Sequence, residues 1–253
     1  MRIKLTIAYD GAPYKGWQYQ PGMVTVQETI EEALSAVAKQ RLSIYASGRT
    51  DTGVHANGQV AHFDAPEALT LPPERWAAAL NTKLPPFIRI MASAQVAEDF
   101  HSRFSAVSKT YQYRVITREV MHPHYHGRAW HMPRGLDLAI LQQVMEAYQG
   151  EHDFRHFSAL RGNETEETSY VRHITEACYD QQEDGVVIRY SGNGFLYKMV
   201  RILTGVAVQA AQGRMELSQL HAMLSDVEGE YNTAKFCAPA GGLTLQEVRY
   251  PTE

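Results

Sequence analysis

From residue 2 the chain alternates, with Ile3, Leu5, Ile7 and Tyr9 set against Arg2, Lys4, Thr6 and Ala8. A period of two sends the sets to opposite faces, which predicts a half-buried strand ended by Asp10-Gly11. Then the period changes. Thr25-Val26-Gln27-Glu28 has the form of a capping box, and Val26, Ile30, Ala33, Leu34 and Val37 share one helical face behind it. Residues 42–46 read as a strand entering a loop at Gly48, and residues 59–63 as a strand leaving it. Pro72-Pro73 ahead of Glu74-Arg75-Trp76 opens a short helix, and residues 87–96 are strand-like.

A second round begins near residue 105. Tyr111, Tyr113 and Val115 alternate with Thr110, Gln112 and Arg114, a further strand. Leu138, Leu141, Val144, Met145 and Tyr148 form a helical face, with Gly150 placed as its C-terminal cap. Residues 186–190 read as a strand. Phe195, Met199, Ile202, Leu203, Val206 and Ala210 make a long helical stripe that stops before Gly213. Leu217, Leu220, Met223 and Leu224 predict a short helix, and residues 243–248 a last strand. Helices and strands do not alternate as a doubly wound sheet requires. The pattern predicts an α+β fold, with antiparallel or mixed sheets, helices on one face, and two halves at residues 1–104 and 105–253.

Composition narrows the setting. Among 253 residues, 44% hydrophobic and 21% charged is an ordinary globular balance. Cys178 and Cys237 stand far apart, which excludes a disulfide framework and a cysteine-rich zinc site and fits a reducing compartment. No apolar run has the length of a signal peptide or a membrane span, so a soluble, cytoplasmic protein is expected. The net charge of −4 counts against a chain-wide basic surface, so any nucleic-acid partner must meet a local set of cations.

The densest candidate chemistry is Gly48-Arg49-Thr50-Asp51-Thr52-Gly53-Val54-His55, a glycine-bracketed polar loop between two strands. It reads either as a solvated turn or as a loop presenting a carboxylate. His122, His124, His126 and His131 cluster, and His152 and His156 lie four apart. No H-E-x-x-H pattern occurs and Pro123 interrupts any helix through the cluster, so structural roles outweigh a metal-dependent hydrolase.

The Asp51 loop resembles the catalytic loop of the TruA-type tRNA pseudouridine synthases, and collinear blocks extend the resemblance along nearly the whole chain. They are Tyr9-Asp10-Gly11 with Gly16-Trp17-Gln18-x-Gln20, Gln59-Val60-x-His62-Phe63, Ala79-Leu80-Asn81-x-x-Leu84-Pro85, and Asp99-Phe100-His101-x-Arg103-Phe104-Ser105-Ala106. Tyr111-x-Tyr113, Gly150-Glu151-His152-Asp153-Phe154, Phe195-x-x-x-Met199-Val200-Arg201 and Gly242-Leu243-x-Leu245 complete them. Thr52 departs from the family's usual small alanine, and Lys235-Phe236-Cys237 from a Gly/Pro/Thr-rich stretch.

The resemblance implies a pseudouridine synthase fold with a central RNA-binding cleft, and isomerisation of uridine to pseudouridine at positions 38, 39 and 40 of the tRNA anticodon arm. The reaction breaks the N1–C1′ bond, turns the base and joins C5 to C1′, with no cofactor and no metal. Asp51 is then the nucleophile, a carboxylate ionised near neutrality by its ordinary acidity. A water-poor pocket penalises that charge, and Arg49 and Arg201 are its electrostatic partners, Arg201 by the resemblance. Attack at uracil C6, attack at ribose C1′ and proton removal from the sugar all remain open. Tyr111 is implied to hold the extruded base. Leu243 and Leu245 are candidates for an apolar pocket wall, and Lys198 and Arg103, with Lys109, Arg114 and Arg128, for phosphate contacts. A homodimer is implied as well. A non-catalytic RNA-binding module is the competing reading, in which tRNA binds and its uridines stay unchanged.

Overall fold

The alternating N-terminal segment becomes β1 (Arg2–Tyr9), whose Ile3, Leu5 and Ile7 are fully buried. This is a computed structural model, and it describes residues 1–251 apart from 161, 163, 166, 167, 226, 227, 230, 232 and 233. Along the chain follow α1 (Val26–Ala38), β2 (Tyr45–Ala46), β3 (His55–Asp64), α2 (Trp76–Asn81) and β4 (Ile88–Val96). Then come β5 (Ser108–Ile116), β6 (Trp130–His131), α3 (Leu138–Tyr148), β7 (Gly150–Asp153), β8 (Val171–Gln182) and β9 (Gly185–Gly192). The last elements are α4 (Met199–Ala211), α5 (Leu217–Ser225) and β10 (Leu243–Arg249). The fold is α+β.

The chain forms two compact units, Met1–Val107 with Thr244–Glu253, and Ser108–Leu243. A single cut at residues 104/105 assigns the last strand to the second half. In the structure β10 instead runs parallel to β3, with Thr244 opposite His55 and Leu245 opposite Ala56. Gly58 makes that approach feasible, since a Cβ there would lie 2.4 Å from the Gln246 carbonyl oxygen.

In the first unit β1 pairs antiparallel with both β3 and β4. Ile3 faces Phe63, and the Phe63 ring meets Trp76 of α2 edge-on at 4.8 Å, so the helices cover this side of the sheet. Thr25 caps α1 as its spacing predicts, its side chain accepting from the Glu28 amide at 3.3 Å. Lys4 and His62, also register partners, occupy the opposite face. Of the strand expected at residues 42–46, only Tyr45 and Ala46 pair, against His62 and Ala61.

In the second unit β9 lies between β5 and β8, and β7 extends the sheet beyond β8. The Tyr148 hydroxyl at the end of α3 donates to the Leu203 carbonyl of α4 at 3.0 Å, and Tyr179 of β8 donates to Leu138 of α3 at 3.2 Å. The first bond ties α3 to α4, and the second seats α3 on the sheet. The helix expected from Phe195 begins four residues later, at Met199, because Lys198 takes a left-handed conformation (φ 58°) that cannot continue a helix. Among the described residues, no helix is long and apolar enough to cross a membrane.

Candidate functional site

Asp51 stands at the start of a tight turn in the first unit. The Val54 amide donates to the Asp51 carbonyl at 3.1 Å, and Gly53 has φ 79° at the third turn position. A type II turn reserves that position for glycine. Thr52 beside it is exposed. The Asp51 side chain is half-buried and Arg49 is exposed.

The backbone approaching Asp51 is held by buried polar groups. Gln59, completely buried, donates from Nε2 to the Gly48 carbonyl at 3.0 Å and accepts from the Ser47 hydroxyl at 2.8 Å. The Tyr9 hydroxyl and Thr50 Oγ1 share a hydrogen bond of 2.7 Å, and the Trp17 amide donates to the Thr50 carbonyl at 3.0 Å. Burial pushes the Tyr9 phenol up to about 12, against smaller opposing effects of its bonds to Thr50 and Gln59, so it remains a protonated donor at physiological pH.

Two glycines let the segment after β1 lie directly on the loop. A Cβ at Gly16 would stand 2.8 Å from the Thr50 carbonyl oxygen and 3.2 Å from the Asp51 carbonyl carbon, and one at Gly11 would collide with the Val54 carbonyl. His55 Nδ1 accepts from the Gly11 amide at 3.1 Å and lies 3.1 Å from an Asp10 carboxylate oxygen. The Tyr9-Asp10-Gly11 and Gly16-Trp17 blocks thus form the cradle of residues 48–55. Leu245 is buried on β10 beside Ala56, while Arg103 is exposed with its guanidinium 5.4 Å from the centre of the Phe104 ring.

The second unit gathers the other candidates. Tyr111, nearly buried on β5 opposite Tyr190, meets the edge of Phe195 at 5.2 Å. Phe195 therefore lies outside α4 and is only half-buried, so it packs on Tyr111 rather than filling the core of a helix stripe. Arg201 is held by a residue 37 positions further along the chain: its Nε donates to the Ala238 carbonyl at 2.8 Å, and the Ala238 amide donates to the Arg201 carbonyl at 3.1 Å. Lys198 caps α4 and holds its Nζ 5.1 Å from the centre of the Tyr197 ring. Gly205 of α4 is buried, and a Cβ there would collide with the Phe236 carbonyl. Leu243 is buried at the end of this unit, and Tyr113, also buried, donates to the Pro239 carbonyl at 2.7 Å.

His122 and His124 lie 4.4 Å apart, ring centre to ring centre. Among the described residues, no group of three or more His, Cys, Asp or Glu side chains is arranged to hold a metal ion.

The residues that hold the Asp51 loop are not marked as a group in the sequence. Tyr9 and Gln59 lie 50 positions apart, and nothing local in either segment announces their joint task. The glycines at 11 and 16, spaced in a polar stretch, are the one signal of close backbone approach.

Comparison with known proteins assigns the chain to a class. A family model described as tRNA pseudouridine synthase matches residues 5–105 and 144–251. A tRNA pseudouridine synthase A of Akkermansia muciniphila is 47% identical over 255 residues, covering 100% of this chain and 96% of that one. Relatives of the same name in Bacillus pumilus and Bacillus subtilis are 43% and 42% identical, each pairing covering 99% of both chains. The class is that of isomerases acting on tRNA uridine. The chain belongs to the tRNA pseudouridine synthase family.

Proposed function

We propose that this protein isomerises uridine to pseudouridine in the anticodon arm of tRNA, at positions 38, 39 and 40, with Asp51 as the nucleophile. What carries this reading is the way residues 47–54 are held. A buried glutamine, a buried tyrosine and two closely packed glycines fix the backbone around one half-buried carboxylate. A solvated turn has no need of such support, whereas a nucleophile has to meet its target within a fraction of an ångström.

The reaction is a rearrangement. The N1–C1′ bond of the nucleoside breaks, the uracil rotates, C5 bonds to C1′, and the C5 proton is lost as N1 gains one, so the mass does not change. The carboxylate supplies the oxygen that drives this exchange. Arg49 and Arg201 serve its charge, and a guanidinium suits that task because it stays protonated and offers paired donors. Tyr111 holds the flipped base against its ring, with Phe195 fixing the ring from the edge. Leu243 and Leu245 supply apolar wall, and Lys198 and Arg103 contact phosphate. On this reading the protein works without a cofactor, as a homodimer in the cytoplasm.

The test is to incubate the protein with an unmodified tRNA transcript and map pseudouridine by chemical labelling. Labelling at 38–40 with no change of RNA mass is the expected result. Modification only elsewhere removes the positional part, and binding without modification favours the RNA-binding module.

A further inference from the structure

The sheet face opposite the helices of the first unit carries a run of rings outside the Asp51 loop and its supports. His62 stacks on Tyr45 at 5.3 Å and 27°, and meets the edge of His101 at 4.8 Å. His101 lies 4.5 Å from Phe104, and the Arg103 guanidinium sits 5.4 Å from the centre of the Phe104 ring.

The base of this run is rigid. His62 is buried, and its Nδ1 accepts from the Ser102 amide at 3.2 Å. The Ser102 hydroxyl donates to the Tyr45 carbonyl, and Tyr250 donates to the Ser102 carbonyl at 2.6 Å. The Lys4 ammonium stands 5.8 Å from the centres of both the Phe100 and Tyr250 rings, placing a second cation at the same base.

The top is open. Phe104 is 75% exposed and Tyr45 53% exposed, and Arg103 is exposed beside them. A single exposed aromatic is ordinary. Two exposed rings tied to one buried histidine, with cations beside them, are a different object. Rings of this kind stack on bases irrespective of sequence, and the cations suit the phosphates between those bases. Tyr45 also belongs to the strand that leads directly into the Gly48–Asp51 loop.

We propose that Tyr45, His101, Arg103 and Phe104 form a stacking platform for an unpaired nucleotide of the RNA other than the uridine being modified. This rests on the reading of the protein as an RNA-modifying enzyme. The platform takes the base on the Phe104 and Tyr45 rings and the adjoining phosphate on Arg103.

The test uses Phe104→Ala, Tyr45→Ala and Phe104→Tyr in the full chain, with two probes: an unmodified tRNA transcript, and a single-stranded RNA oligonucleotide carrying 2-aminopurine. Phe104→Ala should lower kcat/KM on tRNA about tenfold through KM, and weaken the oligonucleotide by a similar factor with less fluorescence quenching on binding. Tyr45→Ala should act in the same direction, and Phe104→Tyr should restore both readouts. Unchanged oligonucleotide affinity and quenching in both alanine variants overturn the platform. So does a shift in sedimentation without loss of RNA affinity, which marks the patch as a self-association surface. Absence of pseudouridine formation by the unaltered protein sinks the functional reading instead, and the oligonucleotide measurement still decides the platform.

Discussion

Replacing Gly16 with alanine tests whether the segment after β1 holds Asp51 in place. Gly16 has φ 88°, where an L-residue carries a backbone cost of about 1–2 kcal/mol. The new Cβ would also lie 2.8 Å from the Thr50 carbonyl oxygen, 3.1 Å from the Thr52 nitrogen and 3.2 Å from the Asp51 carbonyl carbon. All three are backbone atoms of the loop, so relief requires the loop itself to shift by a few tenths of an ångström. Overpacking of this kind costs about 1–3 kcal/mol. Gly22 supplies a matched control, with φ 75° and nothing within 4 Å of an added Cβ. Gly22→Ala should therefore show only the backbone cost, about 1–2 kcal/mol by urea denaturation, with initial rates of pseudouridine formation unchanged. Gly16→Ala should lose about 2–5 kcal/mol in total and about tenfold in kcat, since misplacing a reacting group by 1 Å costs on the order of a hundredfold. Equal stability losses and equal rates for the two variants would refute the claim that residue 16 positions the loop.

Other perturbations test the remaining assignments one residue at a time. Tyr9→Phe removes only the hydroxyl bonded to Thr50, and should cost about 1 kcal/mol of stability with a fall in kcat and little change in KM; circular dichroism melting and single-turnover rates check it. Arg201→Ala should lower kcat by about two orders of magnitude, with a smaller loss for Arg201→Lys, which keeps the charge without the planar fork. Equal losses for the two Arg201 variants in single-turnover assays would show that charge is not what the residue supplies. Burial, with lesser contributions from His101 and Arg2, lowers the His62 pKa from its ordinary 6.5 to about 4. The unfolded chain therefore binds this proton first as pH falls, so the stability contributed by neutral His62 is complete above about 6.5 and lost as pH falls towards 4. Urea denaturation from pH 7 to pH 4 should show a steeper decline for the unaltered protein than for His62→Gln.

Much of the scaffold was legible because local periodicity is a local property. The alternation of Ile3, Leu5 and Ile7, the Thr25 cap and the face of Leu141, Val144, Met145 and Tyr148 all become what their spacing predicts. β8 is not legible in the sequence, for a physical reason. It buries only Ile174 and Ala177 in its twelve residues, so Arg172, His173, Thr175 and Glu176 blur the period of two. The start of α4 is not legible either, because the apolar stripe continues back to Phe195 while the backbone turns left-handed at Lys198. The Asp51 loop was visible as a motif, and its means of support was not. Tyr9, Gly16 and Gln59 reach it from separate segments, and a contact over 50 positions leaves no trace in either segment alone. For the same reason the return of β10 to β3 could not be read from the pattern of residues 243–248.

The most direct measurement is pseudouridine formation by Asp51→Asn on an unmodified tRNA transcript, followed beside tRNA affinity and melting temperature. Amide for carboxylate preserves the size of the side chain and removes its negative charge. Undetectable product, with affinity and melting temperature close to those of the unaltered protein, is the predicted result. Turnover within tenfold of the unaltered protein would show that some group other than this carboxylate performs the chemistry.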